Sequence, residues 1–168
     1  ADAYAPIAGD LPRPVLGCMT KTMPENRARA VAVASVRETA EETGYLLASP
    51  AEIRSRHAAW SPFRQHGVAP DLSPLRLVAR AITPPGRVRR FDAWFFHADS
   101  SALREERVEI TDPELEDILW VPFEKTGDLP LPHVTRFVLH ELDRQLKDAK
   151  AQPRHIRELA RKVRIDPL

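Results

Sequence analysis

The stretch "SVRETAEETGYLL", Ser35 to Leu47, gathers Glu38, Glu41 and Glu42 into five residues and then stops at Gly44. An α-helix turns about 100° per residue, so these three carboxylates share an arc of roughly 100°. Val33, Val36 and Ala40 lie on a different stripe and can face a core. Like charges three or four residues apart repel by roughly 0.2–0.5 kcal/mol per pair, and a helix C-terminus adds its own negative partial charge. Arg37, one turn before Glu41, offsets only part of this. Most acidic clusters on helices are simply solvated. A divalent cation would nonetheless resolve the conflict, because clustered carboxylates are hard oxygen ligands of the kind that suits Mg²⁺ or Mn²⁺.

The rest of the chain bounds what such a face can serve. Its 168 residues suffice for one ordinary domain with a real core. With 43% hydrophobic and 29% charged residues the composition is that of a globular protein. A formal net charge of +1 does not point to nucleic acid as a partner. The single cysteine, Cys18, excludes an intrachain disulfide and a multi-cysteine zinc site. No run approaches the roughly 18 apolar residues of a membrane span, and the first residues lack a signal-peptide core, so the cytoplasm is the expected location. Proline is abundant at 16 residues, implying many turns. The 6 glycines are never adjacent and form no GxG, so neither a P-loop nor a dinucleotide fingerprint is present. Phosphates, if handled, must be met by metal or side chains.

Working outward, residues 1–21 read as irregular, with no sustained period. Thr22 and Glu25 form a capping-box pair around Pro24, which predicts a helix from Thr22 to Thr43 ending at Gly44. A short helix is expected within "AEIRSRHAAW" (51–60). "LRLVARAIT" (75–83) and "RRFDAWFFHA" (89–98) flank the turn "PPGRV" and read as paired strands. "ILWVP" (118–122) is a third strand candidate and "RVEI" (107–110) a short fourth. "HVTRFVLHELDRQL" after Pro132 has helical spacing, and "RHIRELARKV" (154–163) reads as a basic amphipathic terminal helix. Helix, strands, helix predicts an α/β (α+β) domain over 1–168, with an irregular segment at 1–21, a core at 22–148 and the basic helix within 149–168.

"RETAEETGY", Arg37 to Tyr45, resembles the second half of the Nudix box, R-E-U-x-E-E-x-G-U with U apolar. Arg37, Glu38, Glu41, Glu42 and Gly44 match; Thr39 departs from the apolar position, and Tyr45 is acceptable at the last. The later strands and closing helix agree, so the resemblance spans about residues 24–148. The first half of the box does not match, because Met23 and Arg29 stand where the family has glycine and glutamate. Two explanations compete: a box split by an insertion, as in a subgroup that includes peroxisomal coenzyme A diphosphatases, or a degenerate site. The split box is favoured, because the chain opens at "ADAYAP" without the strands and Phe-Pro-Gly-Gly turn that precede a Nudix box helix. The resemblance therefore implies a Nudix-like α/β/α sandwich with a mixed sheet, lacking its N-terminal strands.

What the resemblance implies can be carried residue by residue. Glu41 and Glu42 match metal ligands, Glu38 a glutamate that binds metal or acts as base, and Arg37 the arginine that orients the carboxylates. The implied cofactor is Mg²⁺ or Mn²⁺. The implied activity is hydrolysis of a nucleoside diphosphate linked to another moiety, coenzyme A or its derivatives in the split-box subgroup. Glu116 is the expected downstream assisting glutamate, with Glu114, Glu105 and Glu106 as alternatives. The alternative function is a catalytically inactive Nudix-like domain that binds a nucleotide or protein. An incomplete sheet leaves an edge to cover, which suggests a homodimer or association with the missing N-terminal segment.

Outside the box the signals are weaker. Arg87, Arg89 and Arg90 beside the turn are candidate holders of substrate phosphates, since guanidinium pairs bidentately with them, although a solvated turn is the more ordinary reading. Trp94, Phe95 and Phe96 read as core. His133 and His140, seven apart on one helix face, read as packing or surface residues. Cys18 shows no nucleophile context.

Overall fold

Alanine, valine and straight-chain polar residues dominate positions 25–43, and these good helix formers build a helix of 19 residues, α2 (Glu25–Thr43). The computed structural model describes residues 2, 5–83, 86, 89–105, 107–109, 118–159 and 162–168, with backbone only at 158, 159 and 162. The chain divides into two compact units. One comprises Ala1–Arg76 with Ala98–Ile118, the other Leu77–His97 with Leu119–Leu168.

In the first unit α2 buries Ala28, Ala32, Val33, Val36 and Ala40. The small residues let α1 (Arg13–Met19) approach closely, with Met19 fully buried. Next come β1 (Ala48–Pro50), a short helix α3 (Ser61–Gln65) and β2 (Val68–Pro70). β1 and β2 pair antiparallel, Ala48 opposite Pro70. The ladder widens on both sides: Gly9 bridges parallel to Asp71, and Leu47 bridges antiparallel to Leu103. A Cβ at Gly9 would sit 2.1 Å from Asp71 Oδ1, so a larger residue there would have to displace that carboxylate. Trp60 and Phe63 meet edge to face at 5.7 Å and close the core with Leu46, Leu72 and Val68.

Among the described residues, the second unit is a four-stranded sheet with one α-helix. β3 (Arg76–Ile82) begins at the boundary of the units; β4 (Asp92–His97), α4 (His133–Lys147), β5 (Arg154–Leu159) and β6 (Lys162–Pro167) follow. The strand order is β4-β3-β5-β6. β3 and β5 run parallel, Arg80 opposite His155, while β5 and β6 run antiparallel, His155 opposite Asp166. The sheet is therefore mixed, and the chain has the α+β class expected of it. Arg80 binds Asp92 bidentately at 2.6 and 2.7 Å and lies 4.6 Å over the ring of the buried Trp94. Gln145 of α4 donates from Nε2 to the Val78 carbonyl on β3 at 2.8 Å.

Glu141 anchors α4. Its side chain is 1% exposed and accepts from Arg144 (Nη2, 2.8 Å) and Arg154 (Nη2, 2.6 Å), joining the helix to β5. Burial alone would raise its pKa, but the bonds and charges of Arg154 and Arg144 outweigh that and hold the carboxyl below its usual range.

Several sequence expectations are corrected. Residues 1–21 are not wholly irregular, because Arg13–Met19 forms α1 with Pro14 tolerated in its first turn. α2 begins at Glu25 rather than Thr22; Pro24 is its N-cap, and the Thr22 hydroxyl donates to the Met19 carbonyl at the end of α1 instead of capping α2. Within 51–60 only Ala58–Trp60 is helical, a single 3₁₀ turn. Residues 118–122 are not a strand, and Leu119 and Trp120 are well exposed. Residues 107–109 are not assigned to a strand either, and 110 lies outside the described residues.

The basic C-terminal helix is replaced by the β5–β6 hairpin. Val163 and Ile165 alternate with Arg164 and Asp166 at the strand period of two, and pairing of β5 with β3 overrides a helical pattern that isolated residues would favour.

The Glu141 system gives a first prediction. A carboxyl whose folded pKa is depressed stabilises the fold above its unfolded pKa, and that contribution is lost as pH falls through the folded value. Glu141→Gln should cost about 1–3 kcal/mol at pH 7 in urea unfolding. The difference from the unaltered chain should shrink on acidification below the ordinary carboxylate range; a deficit independent of pH would contradict the assignment.

Candidate functional site

The acidic face lies at the C-terminal end of α2, and three local features stop the helix there. Gly44 takes φ 73°, the left-handed conformation that ends helices, and its N–H donates to the Ala40 carbonyl at 2.9 Å. The hydroxyls of Thr39 and Thr43 donate back to the carbonyls of Ser35 (2.8 Å) and Thr39 (2.5 Å). The chain after Ala102 then runs beside the exit: Val108 N–H donates to the Gly44 carbonyl and Arg104 N–H to Leu46. Arg107 donates from Nε to the Thr43 carbonyl at 3.0 Å, and its guanidinium lies 5.1 Å over the Tyr45 ring. A cation is thereby placed against the negative end of the helix, next to the acidic face.

Arg37 organises the carboxylates. Its Nη2 donates to Glu38 Oε1 at 2.5 Å, its Nη1 to Glu41 Oε2, and its Nε to Asp2 Oδ1 at 3.0 Å. Arg37 is mostly covered, at 17% side-chain exposure, whereas Glu38 and Glu41 remain open at 53% and 40%. Burial would lower the guanidinium pKa, but the bonds to Asp2 and Glu38 and the charges of Asp2 and Glu41 raise it above its ordinary value. One positive charge thus faces three carboxylates, with Glu42 half-buried beside them.

The sequence-predicted residues divide into three groups. Arg37, Glu38 and Glu41 are brought together in one bonded cluster. Glu42 shares the same helix turn. Glu116, Glu114, Glu106 and Arg87 lie outside the described residues. Arg89 and Arg90 are exposed and belong to the second unit, just ahead of β4, and Glu105 is exposed in the first. Sequence reasoning missed Asp2 and Arg107. Asp2 carries no local signal, since only the fold brings it to a partner 35 residues away. Arg107 could have been found as a cation available to a helix end, but its segment was read as a strand.

The donor set of Glu38, Glu41 and Glu42 is all-oxygen and anionic, which fits a hard divalent cation. The bonds to Arg37 use only one oxygen each of Glu38 and Glu41, Oε1 and Oε2 respectively. Among the described residues no three His, Cys, Asp or Glu side chains already converge on one cation position. The residues fit the ion in chemistry, and their second oxygens would have to turn toward it.

A solved structure described as a NUDIX hydrolase from Alicyclobacillus acidocaldarius is similar to this chain, at 28% identity and a TM-score of 0.52. The similarity covers 76% of this chain and 70% of that one. It supports a place in the Nudix superfamily. The mixed α+β architecture is consistent with a Nudix-like fold, and the likeness supports a hydrolase family. No family model and no curated protein matches the chain. No helix among the described residues is long and apolar enough to cross a membrane.

Gly44→Ala tests the helix stop. Alanine held in a left-handed conformation costs roughly 1–2 kcal/mol, so denaturant titration should show a loss of about that size. Unchanged stability would mean that the exit of α2 relaxes to another conformation.

Proposed function

We propose that this chain is a metal-dependent hydrolase of a nucleoside diphosphate linked to another moiety, with coenzyme A or its derivatives as the substrate class. The observation that carries the reading is the cluster of carboxylates on α2: Glu38 and Glu41 of the Nudix-like stretch 37–45, with Asp2, all bonded to the one guanidinium of Arg37. Such a cluster of negative charge is costly alone and favourable beside a divalent cation.

Glu38, Glu41 and Glu42 would hold Mg²⁺ or Mn²⁺. When bound, the ion supplies charge neutralisation for a diphosphate and acidifies a coordinated water. Arg37 keeps the Glu38 and Glu41 carboxylates in one orientation. Glu38 Oε2, the oxygen not bonded to Arg37, serves either as a ligand to the ion or as the acceptor of a proton from the attacking water. Glu116 is the proposed downstream assistant. Arg87, Arg89 and Arg90 are the proposed contacts for substrate phosphates, where planar guanidinium groups give bidentate geometry. The cytoplasm and a homodimer complete the reading.

Titration calorimetry of Mg²⁺ or Mn²⁺ into the chain and its Glu41→Gln/Glu42→Gln variant tests this. Saturable binding that the variant loses is the expected result, followed by turnover in a screen of linked diphosphates. Absence of binding in both would favour the inactive, nucleotide- or protein-binding alternative.

A further inference from the structure

Arg37 has three acidic partners, but they are not equivalent. Glu38 is its immediate neighbour and Glu41 lies one turn further along the same helix, so both move with α2. Their bonds alone leave the long arginine side chain free to swing together with two flexible, largely exposed carboxylates. Asp2 comes from 35 residues earlier and from outside the helix. It holds Nε, the atom closest to the backbone end of the guanidinium, at 3.0 Å, and both side chains are mostly covered, at 17% and 25% exposure. Because the guanidinium is planar and rigid, fixing Nε fixes the directions in which Nη1 and Nη2 point. Those two atoms are the ones that hold Glu41 and Glu38.

We propose that Asp2 is a positioning residue of this site: through Arg37 Nε it locks the guanidinium fork that holds one oxygen each of Glu38 and Glu41 and leaves the second oxygens to turn to a divalent cation. This rests on the reading of that face as a metal site. Asp2 touches neither cation nor substrate in this role. It acts as groups behind metal ligands do, and their loss typically weakens metal binding or activity 10–100-fold.

The test compares Asp2→Ala, Asp2→Glu, Arg37→Ala and the Asp2→Ala/Arg37→Ala pair with the unaltered chain, using two readouts. The first is made without metal: solvent exchange of the Arg37 Nε–H followed by ¹⁵N NMR. Asp2→Ala should accelerate it by roughly tenfold, the worth of a bond to a charged group. The second is Mg²⁺ calorimetry. Asp2→Ala should weaken binding by roughly 10–100-fold, Asp2→Glu should restore most of it, and Asp2→Ala should add nothing once Arg37 is alanine. Unchanged Nε–H exchange in Asp2→Ala overturns the proposal. So does wild-type Mg²⁺ affinity in Asp2→Ala when Glu41→Gln/Glu42→Gln has lost it, and in that case the metal reading stands. If the unaltered chain binds no Mg²⁺, the metal reading itself fails and the proposal falls with it.

Discussion

The Arg37 guanidinium makes the acidic end of α2 tolerable. Without it, Glu38 and Glu41 would repel each other across one helical turn, beside the negative end of the helix dipole. The surrounding structure serves that arrangement. Val33, Val36 and Ala40 are buried, so the opposite stripe faces outward. Gly44 ends the helix within two residues of Glu42. Arg107 brings a second positive charge to the last carbonyls. Each of these helps determine where the carboxylates stand.

The second unit shows what a balanced system looks like. Glu141 is a single carboxylate between Arg144 and Arg154, nearly inaccessible, with every close partner of opposite charge. That geometry ties a helix to a strand and leaves little for a ligand. Across the same sheet, Arg80, His155 and Asp166 stand opposite one another on neighbouring strands, and Asp92 of β4 bonds the Arg80 guanidinium. Burial first, then the positive charges of Arg157 and Arg80, hold the His155 imidazole below its ordinary pKa against the opposing pull of Asp166 and Asp92. The imidazole is therefore neutral near pH 7. The acidic end of α2 differs from both systems in being half-open, with Glu38 and Glu41 at 53% and 40% exposure.

The sequence carried the helix of the box clearly because alanine-rich spacing, the glutamate arc and Gly44 all agree over a short range. β3, β4 and α4 were legible for the same reason, since each has an unbroken period and a proline or turn at its border. The C-terminal hairpin was not legible. Residues 154–163 carry apolar positions compatible with a helix, and only pairing of Ala79–Ile82 with Arg154–Arg157 selects the strand. The start of α2 misled because Thr22, a good cap by type, is engaged by the end of α1. At the site, the three glutamates and Arg37 could be read from local spacing. Asp2 could not, because its role is created by a contact spanning 35 residues.

The division of oxygens at the site bears on how an arginine and a cation can share the same carboxylates. Glu38 gives Arg37 its Oε1 and Glu41 gives its Oε2, so neither carboxylate is closed by the arginine. A carboxylate has about four lone-pair directions, and a single guanidinium N–H occupies one of them. On the proposed reading, Arg37 and a divalent cation would be partners rather than competitors. The arginine limits the rotation of each carboxylate and lowers the repulsion between them, while the remaining negative charge keeps the attraction for a cation. A lysine could supply the charge at Arg37, but not three fixed directions at once. This is why the residue that organises the site is an arginine, and why the atom that steadies it, Nε, matters as much as the two that touch the glutamates.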